Sequence, residues 1–172
     1  KTVTRKIPNA NIIAEDLGYI TEDVKKLIAE FGFPSMKILQ FAFDGDTGSN
    51  QYAPHNLVEN CIVYTGTHDN NTTRGWFENE LENDKKETIR EYTGRNVNSK
   101  NVSWVLIRMA MGSVSRLSII PVQDLLSSGG SCRMNNPAKN TGNWRWRLSS
   151  QKELDKISDE LKELTRLYGR GN

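Results

Sequence analysis

The stretch CIVYTGTHDN, residues 61–70, runs from an apolar segment directly into a histidine, an aspartate and an asparagine. The stretch IIAEDLG, residues 12–18, has the same arrangement with Glu15 and Asp16. In a (β/α)8 barrel the strands end at the catalytic face, so an acid just past a buried strand points at the substrate while the strand holds its backbone in place. Both stretches therefore indicate strand ends that carry chemistry, with Glu15 and Asp69 as the candidate acids.

Further strands and helices alternate along the chain. Short buried strands are predicted from nearly continuous apolar runs at residues 12–15, 36–43, 61–65 and 117–121. Helices are predicted from apolar residues at helical spacing at 21–31, 72–81, 85–92, 102–111 and 151–168. Long polar loops at 44–60 and 127–143 separate them, and loops of this length are commonly functional. The alternation predicts a parallel α/β fold with half the strands of a (β/α)8 barrel.

The composition excludes few classes of protein. The chain has 172 residues, 36% of them hydrophobic, and its net charge of +2 is too weak to favour nucleic acid or an anionic membrane as a partner. No run approaches the length of a membrane span, and no secretory leader precedes the first motif. Cys61 and Cys132 lack zinc-site spacing and are expected as free thiols of a cytoplasmic protein, with Cys61 in the core. The start KTVTRK, without a methionine, suggests a piece of something longer.

The carboxylates fit the hydrolysis or transfer of a glycoside. Retaining cleavage of a glycosidic bond requires a nucleophile and an acid/base whose pKa is raised. Glu15 suits the second role because an apolar strand precedes it and Asp16 adjoins it. Taken alone, a Glu-Asp pair is also typical of a solvated loop or a helix cap, and His68-Asp69 of a hydrogen bond that fixes a turn. Two such sites at the ends of predicted strands favour catalysis.

The motifs, taken together, resemble a known family. They match, in order from about residue 11 to residue 148, the C-terminal part of the 4-α-glucanotransferases (amylomaltases) of glycoside hydrolase family 77: IIAEDLG, FGFPSMKILQFAF, QYAPHN, VENCIVYTGTHDNNTTRGW, IPVQDLL, RMNNP and GNWRWRL. The resemblance implies that residues 1–172 are the C-terminal portion of one (β/α)8 catalytic domain, with long catalytic-face loops and a C-terminal helix. It implies retaining transfer of α-1,4-glucans such as maltooligosaccharides and starch.

The same resemblance assigns roles to single residues. The glutamate of the family's AEDLG motif, the general acid/base, falls on Glu15, and the aspartate of its THDN motif, which stabilises the transition state, falls on Asp69. His68 would bind sugar hydroxyls, and Asp16 would support Glu15. Further candidates for substrate binding in the matched motifs are His55, Asn70 and Gln123. No metal or other cofactor is implied.

One catalytic group of the family has no counterpart here. Its nucleophile is an aspartate in an Arg-x-Asp-His segment on an earlier strand, and the sequence holds no such segment. Asp44 and Asp46 lie in a loop and match no motif. We therefore expect the isolated chain to be inactive and to need either the missing N-terminal half or self-association to cover its exposed strand edges. The alternative is a non-catalytic α-glucan-binding or interaction module derived from such an enzyme.

The segment Trp144-Arg145-Trp146-Arg147 allows two interpretations. Its tryptophans could stack on sugar rings or, in another class of protein, on nucleic acid bases. The alternation instead favours an extended segment whose tryptophans pack on the barrel body and whose arginines face acids or water.

Overall fold

The structure is a computed structural model that describes residues 5–7 and 10–171. Its sheet has three parallel strands in the order β1 (Ser35–Ile38), β2 (Cys61–Tyr64) and β3 (Leu117–Ile119). Ala14 adds one parallel bridge to Ser35, on the side of β1 away from β2. Because all these segments run parallel, their carboxyl ends leave the sheet at the same edge. Residues that follow Ala14 and β2 therefore meet there.

Helices alternate with the strands along the chain. Their bounds are α1 Glu22–Phe31, α2 Thr73–Asn79, α3 Asn83–Thr93, α4 Val102–Met111, α5 Val122–Leu125 and α6 Gln151–Leu167. Short 3-10 helices occur at Leu39–Phe43, Pro54–Asn56 and Gly130–Cys132. Local signals in the sequence explain two of the helix ends. The hydroxyl of Thr72 caps the start of α2 by accepting the N–H of Gly75, and Gly32 ends α1 with a φ of 63°.

Two buried clusters hold the elements together. The larger lies between the sheet and helices α2 to α4 and includes Phe43, Val63, Trp76 and Leu106. The smaller joins Ile107 and Met111 of α4 to Leu164 of α6. Arg170 strengthens this second contact, because its guanidinium donates to the last carbonyl of α4 and to two carbonyls of the loop that follows. The acceptors are Met111 O at 2.7 Å, Ser113 O at 2.7 Å and Ser115 O at 3.0 Å.

Most of the predicted elements are confirmed. The α/β class with a parallel sheet is correct, α4 has the predicted bounds, and the predicted helix at 151–168 ends one residue early. Cys61 is fully buried, burial raises the pKa of its thiol, and both cysteines are free.

Within the described residues, no helix is long and apolar enough to cross a membrane, and no group of three or more histidines, cysteines and carboxylates could hold a metal ion. The chain start at residues 1–4, and residues 8, 9 and 172 of the predicted 1–172 domain, lie outside the described residues.

Three strand predictions need correction. Only the first part of 36–43 is strand, and Leu39–Phe43 forms a 3-10 helix, because a continuous apolar run does not distinguish a strand from a buried helical turn. Residues 12–15 contribute a single bridge, and residues 117–121 a strand of three residues. Neither of these two segments is buried: Ile13 is 42% exposed and Leu117 45%. Both lie at an edge of the sheet, and among the described residues each pairs with a neighbour on one side alone.

Candidate active site

A cleft of about 970 Å³ opens at the carboxyl edge of the sheet. Three loops form its walls, one after Ala14, one after β1 and one after β2. Their lining residues include Glu15, Phe41, Asp44, Tyr52, Asp69 and Asn70. The structure thus brings the two predicted catalytic acids, Glu15 and Asp69, to the same cleft.

Glu15 is held in place through its chain neighbours. On one side, the N–H of Ala14 donates to Pro34 O at 3.0 Å. On the other side, the carboxylate of Asp16 accepts the backbone N–H of Met36 at 2.8 Å. This side-chain bond takes the place of a strand hydrogen bond, since regular pairing stops at Ala14. The backbone of Glu15 is therefore fixed against β1 while its exposed side chain faces the cleft.

Two tyrosines near the carboxylates at this edge have raised pKa values. Burial, with a smaller contribution from the negative charge of Glu15, raises the pKa of Tyr64 at the end of β2. Burial and the charge of Asp16 likewise raise the pKa of Tyr52, which lines the cleft. Both phenols therefore keep their protons at neutral pH and are available as hydrogen-bond donors near Glu15 and Asp16.

Asp69 is bound by a loop that lies far along the chain. Its Oδ1 accepts from Asn135 Nδ2 at 2.6 Å and lies 3.3 Å from Nε2 of His68. Its carbonyl oxygen accepts from Arg133 Nη2 at 2.6 Å, and another nitrogen of Arg133 lies 3.4 Å from Glu80. The side chain of Asp69 is still 50% exposed. The carboxylate is thus oriented by the amide of Asn135, the backbone is held by Arg133, and the carboxylate remains accessible from the cleft.

His68 and Asn70, on either side of Asp69, have different surroundings. The carbonyl of His68 accepts the N–H of Asn135 at 3.0 Å, and its ring centroid lies 5.1 Å from that of Trp144. Asn70 turns its Oδ1 back to the N–H and hydroxyl of Thr67, each at 2.8 Å. His68 is therefore positioned beside the cleft, and Asn70 shapes the turn that presents Asp69.

A buried carboxyl closes the base of this loop. Asp124 is 1% exposed and accepts three hydrogen bonds: from Thr65 Oγ1 at 2.5 Å, from Thr73 N at 2.7 Å and from Thr73 Oγ1 at 2.8 Å. Thr65 directly follows β2 and Thr73 begins α2, so one side chain ties together both ends of the loop at 66–72. Burial raises the pKa of Asp124 despite these three donors.

Of the five predicted substrate-binding residues, Asn70 alone lines the cleft. Asp16 and His68 are chain neighbours of Glu15 and Asp69, whereas Gln123 and His55 lie farther away. Gln123 is 8% exposed, its Nε2 donates to Cys132 O at 3.3 Å, and it lines a cavity of about 110 Å³ beside His68. His55 faces another surface, where its ring nitrogens lie 3.1 Å from Gly48 O and 2.9 Å from the hydroxyl of Tyr92. Neither residue borders the cleft, and both side chains are engaged by other parts of the chain.

Other residues at the site were not singled out from the sequence. Arg133 and Asn135 occur in the RMNNP motif, but nothing in its pattern shows that they bind Asp69. The expectation that both tryptophans of residues 144–147 pack on the body is wrong for Trp144, which is 54% exposed. Arg145 and Arg147 are exposed, as expected, and Arg147 also donates to the carbonyls of Trp144 and Trp146 within its own segment.

Comparison with known proteins gives a consistent set of relatives. A family model described as 4-alpha-glucanotransferase matches residues 1–153. The chain is 48% identical over 163 residues to a 4-alpha-glucanotransferase of Synechocystis sp., covering 94% of this chain and 32% of the relative. It is 43% identical over 171 residues to a chloroplastic/amyloplastic 4-alpha-glucanotransferase of Arabidopsis thaliana, covering 98% of this chain and 29% of the relative.

A solved structure agrees in fold as well as sequence. The amylomaltase from Streptococcus agalactiae in complex with acarbose superposes with a TM-score of 0.91 at 41% identity. The superposition covers 99% of this chain and 34% of that protein. The chain therefore spans about a third of the length of these relatives.

Proposed function

This chain belongs to the 4-alpha-glucanotransferase family, glycoside hydrolase family 77, and we propose that it supplies the acid/base side of the active site of such an enzyme. The Ala14 segment, β1, β2 and β3 are then the last four strands of a (β/α)8 barrel. The observation that carries the proposal is the cleft shared by Glu15 and Asp69 at the carboxyl edge of the parallel sheet. That edge is where barrel enzymes hold their catalytic groups.

The proposed reaction transfers a segment of an α-1,4-glucan in two steps. Glu15 protonates the glycosidic oxygen as it leaves, while a carboxylate supplied by the rest of the enzyme attacks the anomeric carbon. Glu15 then removes the proton from the acceptor hydroxyl as its oxygen attacks the anomeric carbon, which forms the new glycosidic bond and breaks the bond to the enzyme carboxylate. The placement of Glu15 supports this role, because its backbone is anchored on each side and its side chain faces the cleft.

Asp69 has a different part in this proposal. Its negative charge stabilises the positive charge that develops on the sugar ring, and its free oxygen holds sugar hydroxyls together with His68. The support for this assignment is the hydrogen bond from Asn135, which fixes the orientation of Oδ1. The carboxylate is also half-exposed, so a ligand can reach it.

The isolated chain is proposed to be inactive. Its sequence has no Arg-x-Asp-His segment to provide the nucleophile, and it spans about a third of its relatives. A cytoplasmic location belongs to the same proposal. A plastid is the other location to test, since the Arabidopsis thaliana relative is named as chloroplastic/amyloplastic.

The test uses the complete enzyme that contains this chain, with maltotriose as donor and acceptor. Glu15→Gln should lower turnover about 10²- to 10⁴-fold, since it removes the general acid. With a maltosyl fluoride donor, whose leaving group needs no proton, the first step should survive and the glycosyl-enzyme should accumulate. Glu91→Gln, on the exposed side of α3, is the matched control and should keep wild-type turnover.

Two results would contradict this function. Wild-type turnover by Glu15→Gln would contradict the assignment of Glu15 as the general acid/base. A wild-type protein that binds maltooligosaccharides without transferring them would instead favour the non-catalytic binding module.

A further inference from the structure

Trp144 combines two features that its fold does not require. Its indole is 54% exposed, although tryptophan buries more apolar surface than any other side chain. Its backbone has a φ of 64°, in the left-handed region that suits glycine and is rare for a bulky residue. Strained backbone of this kind is concentrated at sites where a side chain must be presented in one position.

The surroundings of Trp144 fix that position. Its N–H donates to Met134 O at 2.7 Å, and its carbonyl accepts from Arg147 at 2.9 Å. Met134 precedes Asn135, which binds both the carbonyl of His68 and the carboxylate of Asp69. The indole is thus linked through one short stretch of backbone to the residues that orient Asp69.

The ring of Trp144 adjoins the loop that carries Asp69. Its centroid lies 5.1 Å from that of His68, with the two rings inclined by 38°. His68 in turn lies 3.3 Å from Asp69. A flat apolar surface therefore continues outward from the polar groups at the cleft, and this combination suits a sugar ring, whose faces carry C–H groups and whose rim carries hydroxyls.

We propose that Trp144 is a sugar-stacking platform that binds one glucose ring of the glucan next to the sugar held by His68 and Asp69. The inference rests on the proposed function, because the ligand is the α-1,4-glucan of that reaction. It adds a residue that sets affinity and chain-length preference without taking part in proton transfer. The hydroxyls of the stacked glucose stay at the rim of the indole, in contact with water.

The test measures acarbose binding by calorimetry, transfer kinetics and melting temperature for variants of the complete enzyme. Trp144→Gly removes the ring and also relieves the left-handed backbone. We expect it to weaken acarbose binding about tenfold or more, to raise KM more than it lowers kcat, and to leave the melting temperature unchanged or higher. Trp144→Phe keeps an aromatic face and should retain most of the affinity, whereas Trp144→Leu should lose it.

The outcomes separate this inference from its alternatives. Unchanged acarbose affinity in Trp144→Gly would overturn it while the transferase function stands. A lower melting temperature for Trp144→Gly, with equal losses for the leucine and phenylalanine variants, would show that the indole packs against the rest of the enzyme and would also overturn it. Failure of the proposed function is recognised separately, because the wild-type enzyme would then show no transfer from maltotriose.

Discussion

At the scale of single residues, the two acids of the cleft are held in different ways. Glu15 has its backbone held on both sides and an exposed side chain. Asp69 has its carboxylate held by Asn135 and its backbone by Arg133. In the proposed roles, the anchored backbone of Glu15 keeps its carboxyl group within reach of a glycosidic oxygen, as proton transfer requires, and the fixed carboxylate of Asp69 is aimed at developing positive charge.

The first residue-scale prediction concerns the charge of Asp69. In Asp69→Asn the oxygen of the amide still accepts from Asn135, so the loop should keep its fold. The loss of negative charge should lower kcat of the complete enzyme by about 10²-fold or more, in the range measured for single electrostatic contacts to a transition state. Steady-state kinetics and a melting curve check the two parts. Trapping of a glycosyl group on Asp69 itself would show that it is the nucleophile and would contradict this division of roles.

The second residue-scale prediction concerns the buried carboxyl of Asp124. Burial raises its pKa above the ordinary value of 3.8, so the folded protein favours the protonated form. A carboxyl with a raised pKa contributes stability that is fully present below its ordinary pKa and is lost as the pH rises through the raised value. Asp124→Asn does not ionise and can keep all three contacts, since its oxygen accepts from Thr73 N and its amide donates to the threonine hydroxyls.

This difference gives a pH signature. As the pH rises above 3.8, the melting temperature of the wild type should fall relative to that of Asp124→Asn, and the difference should level off once the carboxyl is ionised. Asp155→Asn, on the exposed side of α6, is the control and should follow the wild type at every pH. A constant offset between the wild type and Asp124→Asn would disprove the expected titration.

At the scale of elements, α2 lies unusually close to the 3-10 helix at Gly130–Cys132. A Cβ on Gly75 would lie 2.6 Å from the Cα of Gly130 and 2.6 Å from Oδ1 of Asn71. The close approach matters for the site, because Arg133 follows this 3-10 helix and binds the carbonyl of Asp69.

Gly75→Ala should therefore destabilise the protein by about 1–3 kcal/mol, the usual cost of inserting a group into a packed contact. Transfer activity should fall as well, because the displaced loop carries Arg133 and Asn135. Gly129→Ala is the matched control, since a Cβ there has nothing within 4 Å. Chemical denaturation of both variants provides the measurement, and equal stabilities would show that the loop moves freely away from α2.

The elements also show what a single sequence can reveal. Helix α4 could be bounded because its apolar residues recur at helical spacing between clear loop signals, and β2 because Gly66 and His68 end its apolar run. The 3-10 helix at Leu39–Phe43 could not, because burial on all sides removes the periodicity that separates a strand from a helix. At the site, the motifs led to Glu15 and Asp69. The contacts of Asn135 and the exposure of Trp144 depend on tertiary packing, which local spacing does not encode.

At the scale of the whole molecule, both edges of the sheet are unpaired in the part of the chain that the structure describes. Ile13 stands at one edge, and Leu117 and Ile119 at the other, with exposures of 42%, 45% and 36%. Helix α1, beside the first edge, has no buried residue in the described part of the chain, although it has the apolar spacing of a packed helix. Such surfaces are normally covered, since unpaired strand edges bind other strands.

The last prediction follows from these edges. The purified chain should associate, either with itself or with the N-terminal portion of its enzyme, and the second complex should gain transfer activity, because it unites the nucleophile with Glu15 and Asp69. Sedimentation measures association, and maltotriose turnover measures the recovery of transfer activity.

A charge in the uncovered strand edge, as in Ile119→Lys, should weaken both association and recovered activity, because the lysine would be buried in the new contact. Val114→Lys, 61% exposed and outside the strands, should weaken neither. A well-folded, soluble monomer of the wild-type chain at high concentration would show that these edges need no partner, and the half-barrel architecture would then be wrong.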